Sequence, residues 1–355
     1  MVDGDTRPLR HHTVLIIGVG SIGERHLRCF LATGRADVRF VEVNPELRQT
    51  VAERYGIARS YPNLDAALAD GPPDVAVVAT PAQVHIPIAT TLAEAGVHIL
   101  IEKPLSTSED GIDQLCATVR ERGVVAGVAY VYRAHPLLQA LRTAIVEGRF
   151  GRPVELVVVT GQHFPTYRPA YRSIYYNNHA TGGGAIQDAL THMLNAGEWL
   201  VGPIDRLVAD AAHQVLDGVD VEDTAHLLAR HADGSILASY SLNQHQRPNE
   251  LTLTVLCERG AVRFEPHVNR WRWMDAGENE GVWHDEAIPP LERDTLFIAQ
   301  AAAFLDAVEG RHPPLCSLED GLQTLRVNLA ALASVKSQTW QAVSPKSTES
   351  PNSPT

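Results

Sequence analysis

From residue 13 to about residue 130, short apolar runs alternate with amphipathic segments, and no other feature of this chain narrows its possible folds so sharply. HTVLIIG (12–18) leads into ERHLRCFLATG, DVRFVEV (37–43) into PELRQTVAERYG, and DVAVVAT (74–80) into PAQVHIPIATTLAEAG. HILIE (98–102) and VVAGVAY (124–130) are followed in the same way by STSEDGIDQLCATVRERG and AHPLLQALRTAIVEG. Strands that are apolar throughout must be covered on both faces, which a parallel sheet flanked by helices achieves. Residues 12–132 are therefore expected to form an α/β, doubly wound parallel sheet.

The pattern changes near Gly151. VELVVVTGQ (154–162) reads as a strand, and a polar, aromatic loop then leads to a glycine triplet and a helix of about 187–201. AHLLARHADGSILASYSLNQ and LTLTVLCERGAVRFEP each alternate and each break at a turn, which is a hairpin signal. Two late helices follow, over 294–310 and 317–337, the second opened by Ser317 and Asp320 in the manner of a capping box. Residues 133–337 are expected to be a C-terminal α+β domain built on a largely antiparallel sheet. The Ser/Pro-rich end suggests a disordered tail over 338–355.

Charge and composition exclude several function classes. Forty-two acidic against thirty basic side chains give a formal charge of -12 with no basic run, so neither nucleic acid nor an anionic bilayer is an expected partner. The apolar runs last only a few residues, far short of the ~20 that span a bilayer. MVDGDTRPLRHH lacks the apolar core of a signal peptide, and Cys29, Cys116, Cys257 and Cys316 are too scattered for a disulfide framework or a zinc knuckle. A cytoplasmic protein follows as the expectation. Sixteen histidines form no HExxH or HxH pattern, so no metal is expected.

Gly18, Gly20 and Gly23 form GVGSIG at the junction of the first strand and the first helix. There a first glycine permits the tight turn, a second lets backbone approach a pyrophosphate, and a third permits close packing at the helix N-terminus. The turn, with Ser21 and Ile22, is thus a candidate dinucleotide cradle of the Rossmann type. Glu42 ends the second strand where an acid would accept from a ribose 2′-hydroxyl and repel a 2′-phosphate, which favours NAD over NADP.

Further motifs follow in order. Thr80 and Pro81 end the third apolar run with His85 just beyond, Glu102-Lys103-Pro104 ends the fourth, and GGG-x3-D-x3-H occupies 182–192. Together with the cradle, these resemble the glucose-fructose oxidoreductase, inositol dehydrogenase and MocA family (Gfo/Idh/MocA) over residues 12–337. The resemblance implies a two-domain NAD(P)-dependent oxidoreductase whose C-terminal sheet walls the substrate site and forms homo-dimers or homo-tetramers. It implies that Thr80, Pro81, His85, Glu102 and Lys103 lie at the cofactor, that Lys103 also touches a substrate hydroxyl, and that the bond before Pro104 is cis. It further implies that Asp188 and His192 are the pair in which histidine exchanges the proton. Asn195 stands where the family often has an aspartate.

Residues four apart share a helix face, so Asp188 is expected to orient and charge-stabilise His192, a base suited to a hydroxyl proton. In the loop of 163–184, Tyr167, Arg168 and Arg172 are candidate substrate contacts for a polyhydroxylated ligand, and the two arginines could clamp a carboxylate, or else serve a subunit interface. The expected function is hydride transfer between nicotinamide and a secondary alcohol or ketone of a sugar, sugar acid or cyclitol. A redox-assisted glycosidase of the same family and a nonenzymatic nucleotide or sugar sensor are the alternatives.

Overall fold

The computed structural model describes residues 8–277 and 281–343. Its first half runs β1 (His12–Ile17), α1 (Ser21–Ala32), β2 (Ala36–Val41), α2 (Pro45–Tyr55), β3 (Ser60–Tyr61), α3 (Leu64–Ala69), β4 (Val75–Val78), α4 (His85–Glu94), β5 (His98–Ile101), α5 (Ile112–Arg122) and β6 (Ala126–Val128). All six strands are parallel, in the order β3-β2-β1-β4-β5-β6. Val14, Ile16, Val75, Val77, Ile99 and Ile101 are wholly buried, as strands covered on both faces require. Local signals agree with this packing: Asn44 caps α2 by accepting from the backbone of Glu46 and Leu47, and Gly56 closes it in the left-handed region. The order reverses between β1 and β4, the crevice where open α/β sheets bind ligands beyond their strand ends.

The second half opens with α6 (Pro136–Val146), β7 (Pro153–His163) and the four-residue α7 (Phe164–Tyr167), then reaches α8 (Thr191–Val201). β8 (Ile204–Ala212), β9 (Thr224–His231), β10 (Ile236–Asn243), β11 (His245–Cys257), β12 (Gly260–Glu265), β13 (Arg270–Asp275) and β14 (His284–Ala287) follow, and then α9 (Thr295–Val308), α10 (Leu318–Ser337) and β15 (Gln341–Ala342). The nine-stranded sheet has the order β14-β13-β12-β11-β7-β10-β9-β8-β15 and is antiparallel except where β7 meets β10. Both expected hairpins are present, the first turning through positive φ at Ala232, Asp233 and Gly234.

The late helices link the two sheets. Ala301, Phe304 and Leu305 of α9 join the core around Val14 and Phe30, while α10 sends Leu325 into the first domain and Val327 and Ala331 into the second. Ser317 and Asp320 complete the capping box of α10. Residues 338–343, expected to open a disordered tail, are placed: Gln341 and Ala342 pair with Leu207 and Arg206 of β8, and Val343 is buried. The Ser/Pro-rich residues 344–355 lie outside the described residues.

One helix departs from the expected regular form. Residues Ile186–Leu190 form a π-helical turn, and α-helix begins only at Thr191. The Asp188 carbonyl accepts from Lys103 Nζ at 2.7 Å, and a side chain that engages a helix carbonyl in this way is a recognised cause of such widening.

Candidate active site

The three glycines divide their tasks by what surrounds them. Gly18 has φ +82°, and a Cβ there would lie 3.0 Å from the Ala79 carbonyl oxygen. A Cβ on Gly23 would stand 1.8 Å from the Gly18 carbonyl oxygen, so only glycine lets α1 close on the turn. At Gly20, by contrast, a Cβ would meet nothing within 4 Å. That open space lies at the α1 N-terminus, where unpaired N–H groups and the helix dipole favour a phosphate. Ser21 is exposed beside it, and Thr80 Oγ1, across the crevice on the β4 end, is buried without a hydrogen-bond partner. A dinucleotide fits this cradle: backbone donors, open space and an orphaned hydroxyl converge at the switch point.

Glu42 is drawn toward the same turn, accepting from the backbone of Val19 at 3.1 Å and of Asn44 at 2.9 Å. His85 takes a different place from the one expected. Its ring is buried, with Nε2 2.8 Å from the Thr80 carbonyl and Nδ1 3.1 Å from the Pro104 carbonyl. Burial lowers its pKa, and a neutral ring donates to only one of these carbonyls. His85 therefore braces the strand ends that carry Thr80 and Lys103 and presents no surface to a ligand. Pro81 stays exposed beside it, and the Lys103-Pro104 bond is cis.

A cavity of about 890 Å³ opens between the two sheets. Of the expected residues, Ile22, Glu102, Lys103, Tyr167, Arg168, Asp188 and His192 line it. Glu102 is buried and already paired, accepting at 2.6 Å from His26 Nε2 and at 3.0 Å from the Lys103 backbone. Lys103 Nζ reaches across the cleft to Asp188, donating to its carbonyl and, at 3.0 Å, to Oδ1. Tyr175 donates to the same Oδ1 at 2.7 Å. Burial alone would raise the Asp188 carboxyl, but Lys103 and Tyr175 hold it below the usual carboxylate range.

Among the described residues no hydrogen bond joins Asp188 to His192, although the Asp188 charge still favours the protonated ring. The carboxylate is spent on Lys103 and Tyr175, because a cation and a hydroxyl in reach outcompete a neutral ring whose helix widens between the two positions. His192 instead packs edge-on to Tyr130 and Tyr132, with centroids 5.9 and 5.7 Å away. Its Nδ1 is buried without a partner. Burial, reinforced by the Lys103 charge, pushes its pKa down to about 3, so the ring is neutral.

Arg172 does not join the cavity. Its Nε donates to the Asp217 carbonyl at 2.7 Å and its guanidinium stacks over Tyr171, because the loop turns it outward onto the strand connection at 217–218. A paired arginine clamp of Arg168 and Arg172 is thus not formed, since only Arg168 lines the cavity. Asn195 is buried in the interdomain seam, accepting from Arg133 Nε at 2.9 Å and donating to Thr324 Oγ1 at 2.9 Å. An amide suits that position because it must accept on one side and donate on the other.

Sequence reasoning missed Tyr175 as a partner of Asp188, Arg25 and Arg293 as cavity residues, and the aromatic walls Tyr130 and Tyr132. For Arg25 a signal existed, since it lies one helical turn beyond Ile22 on the cradle helix. Among the described residues no group of three or more His, Cys, Asp and Glu side chains could hold a metal ion. No helix among them is long and apolar enough to cross a membrane.

Residues 12–130 match the oxidoreductase family with an NAD-binding Rossmann fold, and residues 138–263 match the GFO/IDH/MocA C-terminal domain. This chain belongs to the Gfo/Idh/MocA family. Levoglucosan dehydrogenase of Pseudarthrobacter phenanthrenivorans is 26% identical to it, over 94% of this chain and 98% of that protein. UDP-N-acetylglucosamine 3-dehydrogenase of Acidithiobacillus ferrooxidans is 28% identical over 91% and 96%. The solved structure of levoglucosan dehydrogenase with NADH and levoglucosan shares the fold at a TM-score of 0.85 and 23% identity, covering 94% of this chain and 100% of that one. The chain is accordingly an NAD(P)-dependent oxidoreductase with an NAD-binding Rossmann domain.

Proposed function

We propose that this Gfo/Idh/MocA protein oxidises a secondary hydroxyl of a sugar, sugar acid or cyclitol, or reduces the matching ketone, with NAD as the cofactor it favours. The observation that carries this reading is the convergence of Lys103, Asp188 and an unpartnered His192 on one cavity beside the glycine turn. Bound nicotinamide supplies the hydride acceptor or donor. Gly18, Gly20, Ser21, Ile22 and Gly23 would hold the pyrophosphate, Thr80 and Pro81 would lie at the cofactor, and Glu42 would select a ribose with a free 2′-hydroxyl.

The chain's own groups manage the proton. Two of the three Lys103 N–H bonds go to Asp188, which leaves the third for a substrate oxygen on which negative charge develops. His192, held neutral, takes the hydroxyl proton during oxidation and returns it during reduction. Asp188 positions Lys103, and Tyr175 fixes Asp188 in turn. Tyr167 and Arg168 supply the aromatic face and the donor that a polyol needs. Replacing Lys103 by Met should lower turnover by about 100-fold or more while NAD still binds; normal turnover in that variant would refute the assignment.

The nine-stranded sheet offers a surface for self-association. Val159, Leu228 and Leu237 are exposed on its uncovered face, an apolar area that a second copy would bury in a homo-dimer or homo-tetramer. Sedimentation should show a species larger than one chain. The four cysteines are free thiols, which fits a cytoplasmic setting.

A further inference from the structure

Three guanidinium groups from distant parts of the chain line the cavity: Arg25 on α1, Arg168 just after α7, and Arg293 just before α9. Lys103 is matched by Asp188, while Glu102, hydrogen-bonded to His26, keeps its negative charge beside Lys103. Asp294, beside Arg293, has both oxygens held by Arg28, at 2.5 and 2.9 Å. Arg25 has only a looser contact with it, 3.4 Å from Nε to Oδ1, and its Nε is buried without a hydrogen bond. Among the described residues, neither Arg168 nor Arg293 has a side-chain hydrogen bond or ion pair, and Glu292 is the one remaining carboxylate in the lining without a partner.

Cations that outnumber the carboxylates beside them repel one another. Burial, followed by repulsion from Arg293, lowers the pKa of Arg25, and Arg168 adds to that repulsion. The field of Arg168 also reaches Asp188 and His192, which places it close to the reacting centre. In a chain of formal charge -12, three guanidinium groups of which only Arg25 has an ionic partner are a local reversal of sign. Guanidinium forks match the two oxygens of a carboxylate or phosphate, and gain most where water is excluded.

Building on the dehydrogenase reading, we infer that Arg25, Arg168 and Arg293 form an oxyanion subsite, and that the substrate is a sugar derivative carrying a carboxylate or phosphate group. The anion would sit between the α9 start and the α7 loop, with the sugar ring extending toward Lys103 and His192. Arg168, nearest the reacting centre, would set the distance from the anion to the oxidised carbon.

The test compares matched neutral sugars, uronates and sugar phosphates at saturating NAD. One acidic series should exceed its neutral partners in kcat/KM by at least about 10-fold, chiefly through KM, and salt should erode the difference. Which series responds separates carboxylate from phosphate recognition. R168Q and R293Q, which break no internal contact, should each cut the acid-to-neutral ratio by about 10-fold. Calorimetry of the same ligands with the NADH-loaded protein gives a readout independent of turnover. Tighter binding of acids supports the subsite even if no sugar reduces NAD, an outcome that sinks only the dehydrogenase reading. Equal binding of acids and neutral sugars, no binding of either, or variants that weaken NAD binding while leaving the ratio intact would overturn the inference, the last because the arginines would then serve the cofactor's phosphates.

Discussion

Lys103 Nζ stands 3.0 Å from Asp188 Oδ1 and 2.7 Å from the Asp188 carbonyl, so the residue that ends a strand of the nucleotide sheet also grips the widened helix turn of the second domain. Lys103 thereby ties the two halves of the chain together at the cavity. K103M should lower kcat/KM by about 100-fold or more, the scale of losing one preorganised charge stabiliser. D188N keeps the carbonyl contact and should lose less, about 10-fold, mostly in kcat. Steady-state kinetics of both variants check the order; equal losses would mean that the carboxylate does more than position Lys103.

The glycine turn separates folding from binding. G23A should melt lower or fail to fold, since its Cβ would fall 1.8 Å from a backbone oxygen. G20A, with φ -62° and open space around it, should melt like the parent chain without cofactor yet lose the stabilisation that NAD confers. Thermal melts with and without NAD distinguish the two.

Glu42 should govern cofactor choice. E42S removes the carboxylate that accepts from the backbone of Val19 and Asn44 and that would face a 2′-phosphate. The ratio of NADP to NAD in kcat/KM should rise by at least about 10-fold. An unchanged ratio would assign selectivity elsewhere on the turn.

Buried neutral histidines set the acid limit of stability. Burial pushes His135 and His231 down to about 4 and His192 to about 3, against an ordinary value of 6.5. Above pH 6.5 these rings are neutral in folded and unfolded chains alike. As pH falls below 6.5 the unfolded chain gains protons that the folded one refuses, and each ring costs on the order of 3 kcal/mol by pH 4. Glu198 works in the opposite direction: burial raises it to about 7, so its protonation favours the folded chain as pH drops toward 4.5 and offsets roughly one histidine. The melting temperature should hold near neutrality and fall steeply between pH 6 and 4. A flat profile would contradict the neutral assignments.

The parallel sheet and the glycine turn were legible because local backbone rules dictate them: buried strands must be apolar throughout, and Gly18 and Gly23 sit where a Cβ collides. Convergence of Lys103 and His192 was legible only as a motif, and their partners were not. Lys103 meets Asp188 across 85 residues of chain, and no periodicity announces such a contact. The Asp188–His192 expectation rested on a regular helix and missed the π turn. His85 and Arg172 carry the right chemistry for a site but are spent on backbone carbonyls, which only the tertiary fold reveals. Tyr175 stood among several equally polar neighbours in its loop, with nothing to mark which of them would reach Asp188.

The most direct test of the whole account follows NADH absorbance while the protein and NAD meet a panel of sugars, uronates, sugar phosphates, inositols and glycosides, with H192N run in parallel. Rising absorbance is expected with one substrate group, together with a loss of about 100-fold or more in H192N with NAD binding intact. Aglycone release without NADH, near-native turnover in H192N, or no response from a protein that binds NAD would contradict it.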